Sequence, residues 1–413
     1  RPSYPERLYI DFDGFFASAE QYLEPALRGR PVGVLPLDSP HTALIAASRQ
    51  AKARGVRMGM RRSEAHDICP DIVFRIARHD AYVALHHKIR ACLEQHVEVI
   101  GARSIDELVA RLMVNEAARG RDLGQRIKHS FAETFHPTLS LSLGIAANEL
   151  LAKIAAEMDK PDGLRVLWPG EELGALEGLE LRDIPGISSG MERRLHAAGV
   201  RDVRALWALA PKQARQLWGG VQGERFLAAL HGHAVEQPGT RRRMFGHGRV
   251  LPRDWRSPER VFLCARVLLS KAARRLRREG YLAGALSFSV RPQEGERYTE
   301  SRQFPAARDD HTFGSILQSL FDEWRGIDPP GRSRSVSVTL HDLTRLADAQ
   351  GDLFDRPGDG TSDRWSRICD MIDHVQARHG GNSLRLGPPV ALPGGYAGGK
   401  IAFGRIPHDH DFY

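Results

Sequence analysis

Leu8-Tyr-Ile-Asp-Phe-Asp-Gly-Phe-Phe-Ala-Ser-Ala-Glu20 changes its period in mid-course. Leu8, Ile10 and Phe12 alternate with Tyr9, Asp11 and Asp13, the period of two that marks a half-buried strand. From Phe15 to about Leu27 the apolar residues recur with helical spacing, and Arg28-Gly-Arg-Pro31 closes that helix. A strand running directly into a helix opens an α/β or α+β domain. The period also sets Asp11 and Asp13 on one face of the strand.

The same interleaving continues to about residue 170. Residues 43–60 read as helix and turn, 81–99 as helix, Val109 to Val114 as strand and 122–135 as helix. Leu139 to Ile145 alternates again, Asn148 to Glu157 is helical, and Lys160-Pro-Asp-Gly163 is a turn. Residues 171–236 are helical with short loops. Within them, Pro185-Gly186-Ile187 between two short helices reads as a helix-hairpin-helix, which points backbone N–H groups at a DNA phosphate. A plain turn in a small bundle is the alternative, and Ser188 stands where the hairpin's second glycine would be. Beyond Arg241-Arg-Arg243 a compact α/β pattern begins. Ser257-Pro-Glu259 starts a helix with a buried stripe of Val261, Ala265, Leu268, Ala272 and Leu276, closed by Gly280. Strands are expected at 284–291 and 334–340, with a helix near 312–325. From about 345 a tail follows, Gly/Asp-rich at 351–363, helical at 364–379, then Gly/Pro-rich. No internal repeat is present.

The chain has 413 residues and a formal charge of +8. Residues 241–300 hold 15 Arg and Lys against 6 Asp and Glu, a local +9 that leaves −1 for the rest. One basic module bound to a polyanion, most simply nucleic acid, is implied. At 42% hydrophobic residues the chain builds real cores and is not a disordered tail. No apolar run approaches the ~18 residues of a membrane span, and Arg1 to Glu6 lacks the apolar stretch of a signal peptide. Cys69, Cys92, Cys264 and Cys369 are far apart, against a disulfide framework or zinc site. A soluble, cytoplasmic protein with no membrane partner is expected.

The residues richest in chemistry are acidic. If Ser104-Ile-Asp-Glu107 lies beside the first strand, Asp106 and Glu107 converge with Asp11 and Asp13. Two carboxylates ~4 Å apart repel by about 4 kcal/mol at an effective dielectric near 20. Such a cluster persists only protonated or holding cations, and Mg²⁺ takes a few carboxylates plus phosphate oxygens. Surface Asp-Glu pairs are common, so spacing by itself leaves an ordinary solvated cluster open.

Three segments together carry a resemblance: Asp11-Phe-Asp-Gly-Phe-Phe-Ala-Ser-Ala-Glu20, Ser104-Ile-Asp-Glu107, and Leu143 to Gly163 with its Asn148-Glu-Leu-Leu-Ala-Lys153 and Lys160-Pro-Asp-Gly163. Over roughly residues 6–345 the chain resembles the Y-family, lesion-bypass DNA polymerases, with a DinB/polymerase IV-like core and an ImuB/UmuC-like tail. The resemblance implies an α+β multidomain right-hand polymerase. Its parts would be palm (1–31 and 81–170), fingers (32–80), helical helix-hairpin-helix thumb (171–238), α/β little finger (239–345) and C-terminal tail (346–413).

It also implies roles. Asp11, Asp106 and Glu107 match the metal-binding carboxylates and the Phe12 carbonyl a backbone ligand, for two Mg²⁺ ions with Mn²⁺ as a substitute; Asp13 is not a ligand in the family. Phe16 matches the steric gate that clashes with a ribonucleotide's 2′-hydroxyl, against plain core packing as the alternative. Phe15, Phe16, Arg49, Lys52 and Lys160 match the triphosphate-binding positions. The family usually has tyrosine at the position of Arg49 and arginine at that of Lys52, so cationic charge is kept but a bidentate contact is lost. Gly186, Ser188, Arg241, Arg242 and Arg243 would grip primer–template DNA without reading sequence.

Gln350-Gly-Asp-Leu353-Phe354 resembles the short peptide by which bacterial polymerases dock on the sliding clamp, an extended segment with apolar anchors. Leu353 and Phe354 packing on the little finger is the alternative. The tail, up to Gly399-Lys-Ile-Ala-Phe-Gly-Arg-Ile-Pro407, resembles those that bind mutasome proteins. The resemblance thus implies a template-directed DNA polymerase acting on dNTPs in lesion bypass. The competing reading is a catalytically weak or inactive ImuB-like adaptor, which lacks the metal carboxylates. A hairpin-containing nuclease is disfavoured, since Phe16 and Lys160 have no role there.

Overall fold

Six residues, Arg7–Phe12, form the first strand (β1), and in the computed structural model five of the six are buried. The structure describes residues 1–38, 42–235, 242–327, 332–349 and 361–387 except 381 and 382, with 390, 392 and 406. It divides into two compact units, within 1–238 and within 239–400.

In the first unit, β1 is the middle strand of a five-stranded sheet. Numbered in chain order, with β2 (Val32–Leu35), β3 (Ala46–Ala47) and β4 (Val73–Ile76) elsewhere, the others are β5 (Glu98–Ser104), β6 (Glu107–Arg111), β7 (Leu141–Ala146) and β8 (Leu164–Val166). The order is β5-β6-β1-β7-β8, with β1 antiparallel to both neighbours and β8 parallel to β7. The alternation of β1 suggests one wet face, but Tyr9 is as buried as Leu8. The helix Glu149–Met158 packs against β1 and β7 and brings Lys153 to the Tyr9 hydroxyl at 3.2 Å. That helix can lie so close because β7 carries Gly144, where a Cβ would stand 2.0 Å from the Ala152 carbonyl oxygen. On the other side Phe12 meets His86 of the helix His79–Leu93. Asp13 lies beyond the end of β1, in a turn, so it does not share the strand face with Asp11.

Strands β2, β3 and β4 form a small separate sheet, order β3-β2-β4. Residues 43–60, read from sequence as helix and turn, supply β3 and only a short helix, Arg49–Ala53. Three contacts fasten this sheet and its flanking segments to the helix Phe15–Leu23 and its C-terminal cap: Arg78 with Glu20, Arg75 with Glu24, and Gln50 with Gln21. Helices from Glu172 to Leu230 complete the unit, and their apolar residues join a core with Tyr9, Val109 and Leu151.

The second unit is a four-stranded antiparallel sheet, order β11-β10-β12-β9, from β9 (Met244–Val250), β10 (Tyr281–Pro292), β11 (Tyr298–Ala307) and β12 (Ser333–Arg345). The helices Pro258–Arg278 and Asp310–Gly326 pack on it. The stripe of Val261, Ala265, Leu268, Ala272 and Leu276 is buried as its spacing predicts. Ser257 is the residue before the helix, although its side chain makes no capping hydrogen bond. Strands β9 and β11 carry few apolar residues and escape a periodicity search. Part of the segment read as a tail packs here too, as the helix Thr361–His379.

Candidate active site

Asp11 is the last but one residue of β1, and in the antiparallel ladder its cross-strand partner is Glu107, the first residue of β6. The two-residue turn between β5 and β6 is Ile105-Asp106, and the Phe12 N–H donates to the Asp106 carbonyl at 2.8 Å. Three carboxylates and the Phe12 backbone are therefore gathered at one end of the sheet, as the sequence leads one to expect.

Each carboxylate has a distinct partner. Lys160 Nζ lies 2.7 Å from Asp11 and 2.8 Å from Glu157. Lys153 pairs with Glu107, and the Ser104 hydroxyl donates to Asp106 and, at 3.2 Å, to Glu107. Burial pushes the Asp11 carboxyl up to about 7 against the opposing pull of Lys160, with Glu157 and Asp106 adding to the rise. Asp106 is raised as well, first by burial, then by Glu107, while Ser104 counteracts. Burial thus holds two of these carboxyls against ionisation although lysines stand beside the corner.

Asp13 is spent on structure. It accepts from the hydroxyls of Ser140 (2.8 Å) and Ser142 (2.7 Å) and from the Asp162 N–H (2.8 Å). Lys128 holds the same turn through the carbonyls of Leu141 and Asp162. Together they set the Lys160-Pro161-Asp162 turn beside β1 and so aim Lys160 at Asp11.

Gly14 follows with φ +55°, the left-handed region, and lets the chain turn straight into the helix Phe15–Leu23. Phe15 is buried, whereas Phe16 is only half-buried. The Phe16 ring is stacked on Tyr82 (4.7 Å, 17°) and edge-on to His79 (5.9 Å). Tyr82 donates to the buried Glu20 at 2.6 Å, which Arg78 also holds, so the ring beneath Phe16 is fixed. Lys52 lies close to the Gly14 turn, since a Cβ on Gly14 would come within 3.8 Å of its Nζ. Arg49 is exposed on the same short helix.

Other expected positions lie elsewhere. Gly186 (φ +97°) and Ser188 are exposed just before the helix Ser189–Ala197. In the second unit Arg242 and Arg243 line a cavity of about 590 Å³ with Tyr281, Asp342, Leu343, Thr344, Arg345 and Asp348. Arg242 also pairs with Glu279 at 2.8 Å and covers the Phe245 ring. Arg241, Gln350, Leu353 and Phe354 lie outside the described residues. Sequence reasoning passed over Lys153, Lys128, Glu20 and Tyr82. A signal existed for the lysines: only 8 of the 59 basic residues are lysine, and Lys52, Lys128, Lys153 and Lys160 all serve this corner.

Among the described residues no group of three or more His, Cys, Asp or Glu side chains stands ready to hold an ion as placed. The donors are nevertheless suited to one. Three carboxylates and a carbonyl are hard oxygen ligands of the kind Mg²⁺ takes, and two of the carboxyls are raised, first of all by burial.

A partly buried acidic corner with lysines around it, a stacked aromatic pair on the next helix and a basic unit downstream are the parts a nucleotidyl-transfer enzyme of the polymerase type needs. Residues 10–157 match the impB/mucB/samB family and 242–353 match that family's C-terminal domain. The DNA polymerase IV of Moorella thermoacetica is 32% identical over 90% of this chain and 93% of its own. That of Saccharolobus solfataricus is 30% identical over 59% of this chain and 70% of its own. In fold, the chain matches a Y-family DNA polymerase chimera (24% identity, TM-score 0.68, 82% and 99% of the two chains) and DinB from Sulfolobus solfataricus (24%, 0.51, 81% and 98%). The chain belongs to the Y-family of DNA polymerases, and is a DNA-directed DNA polymerase of the translesion type. An adaptor without activity is not favoured. Enzymes of this family are metal-dependent. No helix among the described residues is long and apolar enough to cross a membrane.

Proposed function

We propose that Asp11, Asp106 and Glu107, with the Phe12 carbonyl, hold two Mg²⁺ ions, for which Mn²⁺ can stand in, while this chain adds dNTPs to a primer 3′ end on template DNA. The observation that carries the reading is the pairing of Asp11 with Glu107 across the ladder, with Asp11 pushed up to about 7 by burial. When bound, such ions lower the pKa of the primer hydroxyl and offset the charge of the leaving pyrophosphate.

The chain's own residues do the rest. Lys160, Lys52 and Arg49 supply positive charge to the triphosphate, and the first N–H groups of the helix at Phe15 and Phe16 add donors at a helix N-terminus. For this Lys160 exchanges Asp11 for phosphate oxygens. Phe16, backed by Tyr82, packs beneath the sugar and excludes a 2′-hydroxyl. Residues 1–31 and 81–170 are the palm, 32–80 the fingers, 171–238 the thumb, 239–345 the little finger and 346–413 the tail. Gly186, Ser188, Arg241, Arg242 and Arg243 take DNA phosphates. Gln350, Leu353 and Phe354 dock on a sliding clamp, and the tail carries further repair partners of a cytoplasmic, nucleoid-associated enzyme.

Primer extension with Mg²⁺ and dNTPs tests the reading, with the double variant Asp106→Ala/Glu107→Ala as comparison. Extension by the wild type and its loss in the variant, at unchanged DNA affinity, is the expected result. A wild-type chain that binds DNA yet extends no primer overturns it.

A further inference from the structure

His86 lies on the helix His79–Leu93, behind the corner that holds the carboxylates, and its side chain has no access to solvent. Its Nδ1 is 2.7 Å from the carbonyl oxygen of Ile105, the first residue of the β5–β6 turn. A carbonyl can only accept, so Nδ1 carries the hydrogen. With the hydrogen on Nδ1, Nε2 of the neutral ring is a bare acceptor. That Nε2 is buried with no hydrogen-bond partner among the described residues.

An orphaned polar atom is a cost that an apolar side chain would avoid at the same place. The compensation lies in what the other nitrogen does. Ile105 is itself buried, and its neighbour Asp106 accepts from Phe12 N–H at 2.8 Å. The same imidazole lies 5.9 Å, ring to ring, from Phe12. His86 thus touches both strands of the corner, the turn before Asp106-Glu107 through a hydrogen bond and the end of β1 through its ring. The ladder alone does not fix this turn, because the β5–β6 register shifts between Ala102 and Ser104.

We infer that His86 is a positioning residue for nucleotidyl transfer: its Nδ1–H on the Ile105 carbonyl holds the Ser104–Glu107 turn in register with Asp11 and Phe12. It touches neither substrate nor ion and acts through the backbone. The inference rests on the reading of Asp106 and Glu107 as catalytic carboxylates.

The test compares His86→Leu, which fills the space without a donor, with His86→Asn, whose side-chain amide can donate from nearly the place of Nδ1. Single-nucleotide insertion is measured against dNTP and against Mg²⁺, with DNA affinity alongside. His86→Leu should lose about 10–100-fold in kcat, the range for groups that orient a metal site's ligands. Its half-saturating Mg²⁺ should rise while KM for dNTP and DNA affinity hold, and His86→Asn should recover most of the kcat. Wild-type kcat in His86→Leu, or an Asn variant no better than the Leu variant, overturns the inference. Should either variant fold poorly, nitrogen NMR of the wild-type imidazole decides: the Nδ1–H tautomer is expected, and the Nε2–H tautomer overturns it. Failure of the carboxylate reading is separately visible, as normal extension by Asp106→Asn.

Discussion

Asp11 and Glu107 face each other across the β1–β6 ladder, and each is met by a lysine from one short stretch of chain, Asp11 by Lys160 and Glu107 by Lys153. The two lysines are not equivalent. Lys153 also reaches the Tyr9 hydroxyl and sits within the helix Glu149–Met158. Lys160 stands on a turn at the helix's far end, held in place by Asp13 and Lys128 acting on Asp162. A point charge on a flexible stem can change partners more readily than a guanidinium fork.

Lys160→Met should therefore act on nucleotide binding rather than on DNA binding. A hydrogen bond to a charged group contributes about 1.5–3 kcal/mol, so KM for dNTP should rise about 10–100-fold. Lys153→Met removes the partner of Glu107 and should lower kcat instead. Steady-state insertion kinetics separate the two, and equal effects on KM from both variants would refute the division of labour.

Phe16→Ala should admit ribonucleotides. The ring is half-exposed and stacked on a Tyr82 that is itself hydrogen-bonded to buried Glu20, so the surface it rests on is fixed. Discrimination against rNTP, taken as the ratio of kcat/KM values, should fall by about 10-fold or more, at least the discrimination a shape-based pocket gains from one group. Unchanged sugar selectivity with reduced thermal stability would make Phe16 a packing residue.

What sequence makes legible here follows from what kind of contact each residue makes. The β1-to-helix switch at Gly14 and the buried stripe from Val261 to Leu276 are local patterns with a fixed period, and each reappears in the fold, whereas Asp11 stands 95 residues before Asp106 and is joined to it in sequence only through the family resemblance. Asp13 was set on the strand face by its period of two, yet the strand ends one residue earlier because Ser140, Ser142 and Asp162 claim its carboxylate. Tyr9 reads as a solvent-facing position, and only the covering helix, admitted by Gly144, makes it buried. Lys153, Glu20, Tyr82 and His86 matter through partners 46, 58, 62 and 19 residues distant, which no window of sequence contains.

DNA binding should be dominated by phosphate contacts and hence by salt. If six to eight phosphates are neutralised, log K should fall against log[salt] with a slope of about −5 to −7. Arg243→Ala should reduce that slope by about 1 and weaken all sequences alike. Arg242→Ala should also free Glu279, its ion-pair partner at 2.8 Å, and so cost stability in the second unit. Equilibrium titrations at several salt concentrations give the slopes, and a slope near zero would remove the phosphate-grip assignment.

The helix Thr361–His379 gives a last prediction, which joins stability to thiol chemistry. Arg277, with only 4% of its side chain exposed, donates to Asp373 (2.7 and 3.0 Å), to Asp310 (2.6 Å) and to the Arg308 carbonyl (3.0 Å). Arg308 pairs with Asp370, and His311 stacks on Trp365 at 4.5 Å. Cys369 is buried under this clasp, and burial followed by Asp310 pushes its thiol up to about 11. The thiolate is the reactive form, so in the folded protein Cys369 should resist alkylation at pH 8, its reactivity growing about tenfold per pH unit until pH approaches 11. Arg277→Met leaves two partly buried carboxylates facing one another without their cation, a loss of up to about 3 kcal/mol, the low end for a broken buried pair. The helix should then detach and Cys369 become alkylated at pH 8, while Cys264, also raised to about 11 but inside the core of the sheet and helices, stays protected. Mass-mapped alkylation checks this, and a protected Cys369 in a variant of unchanged melting temperature would show that the apolar contacts, not Arg277, hold the helix in place.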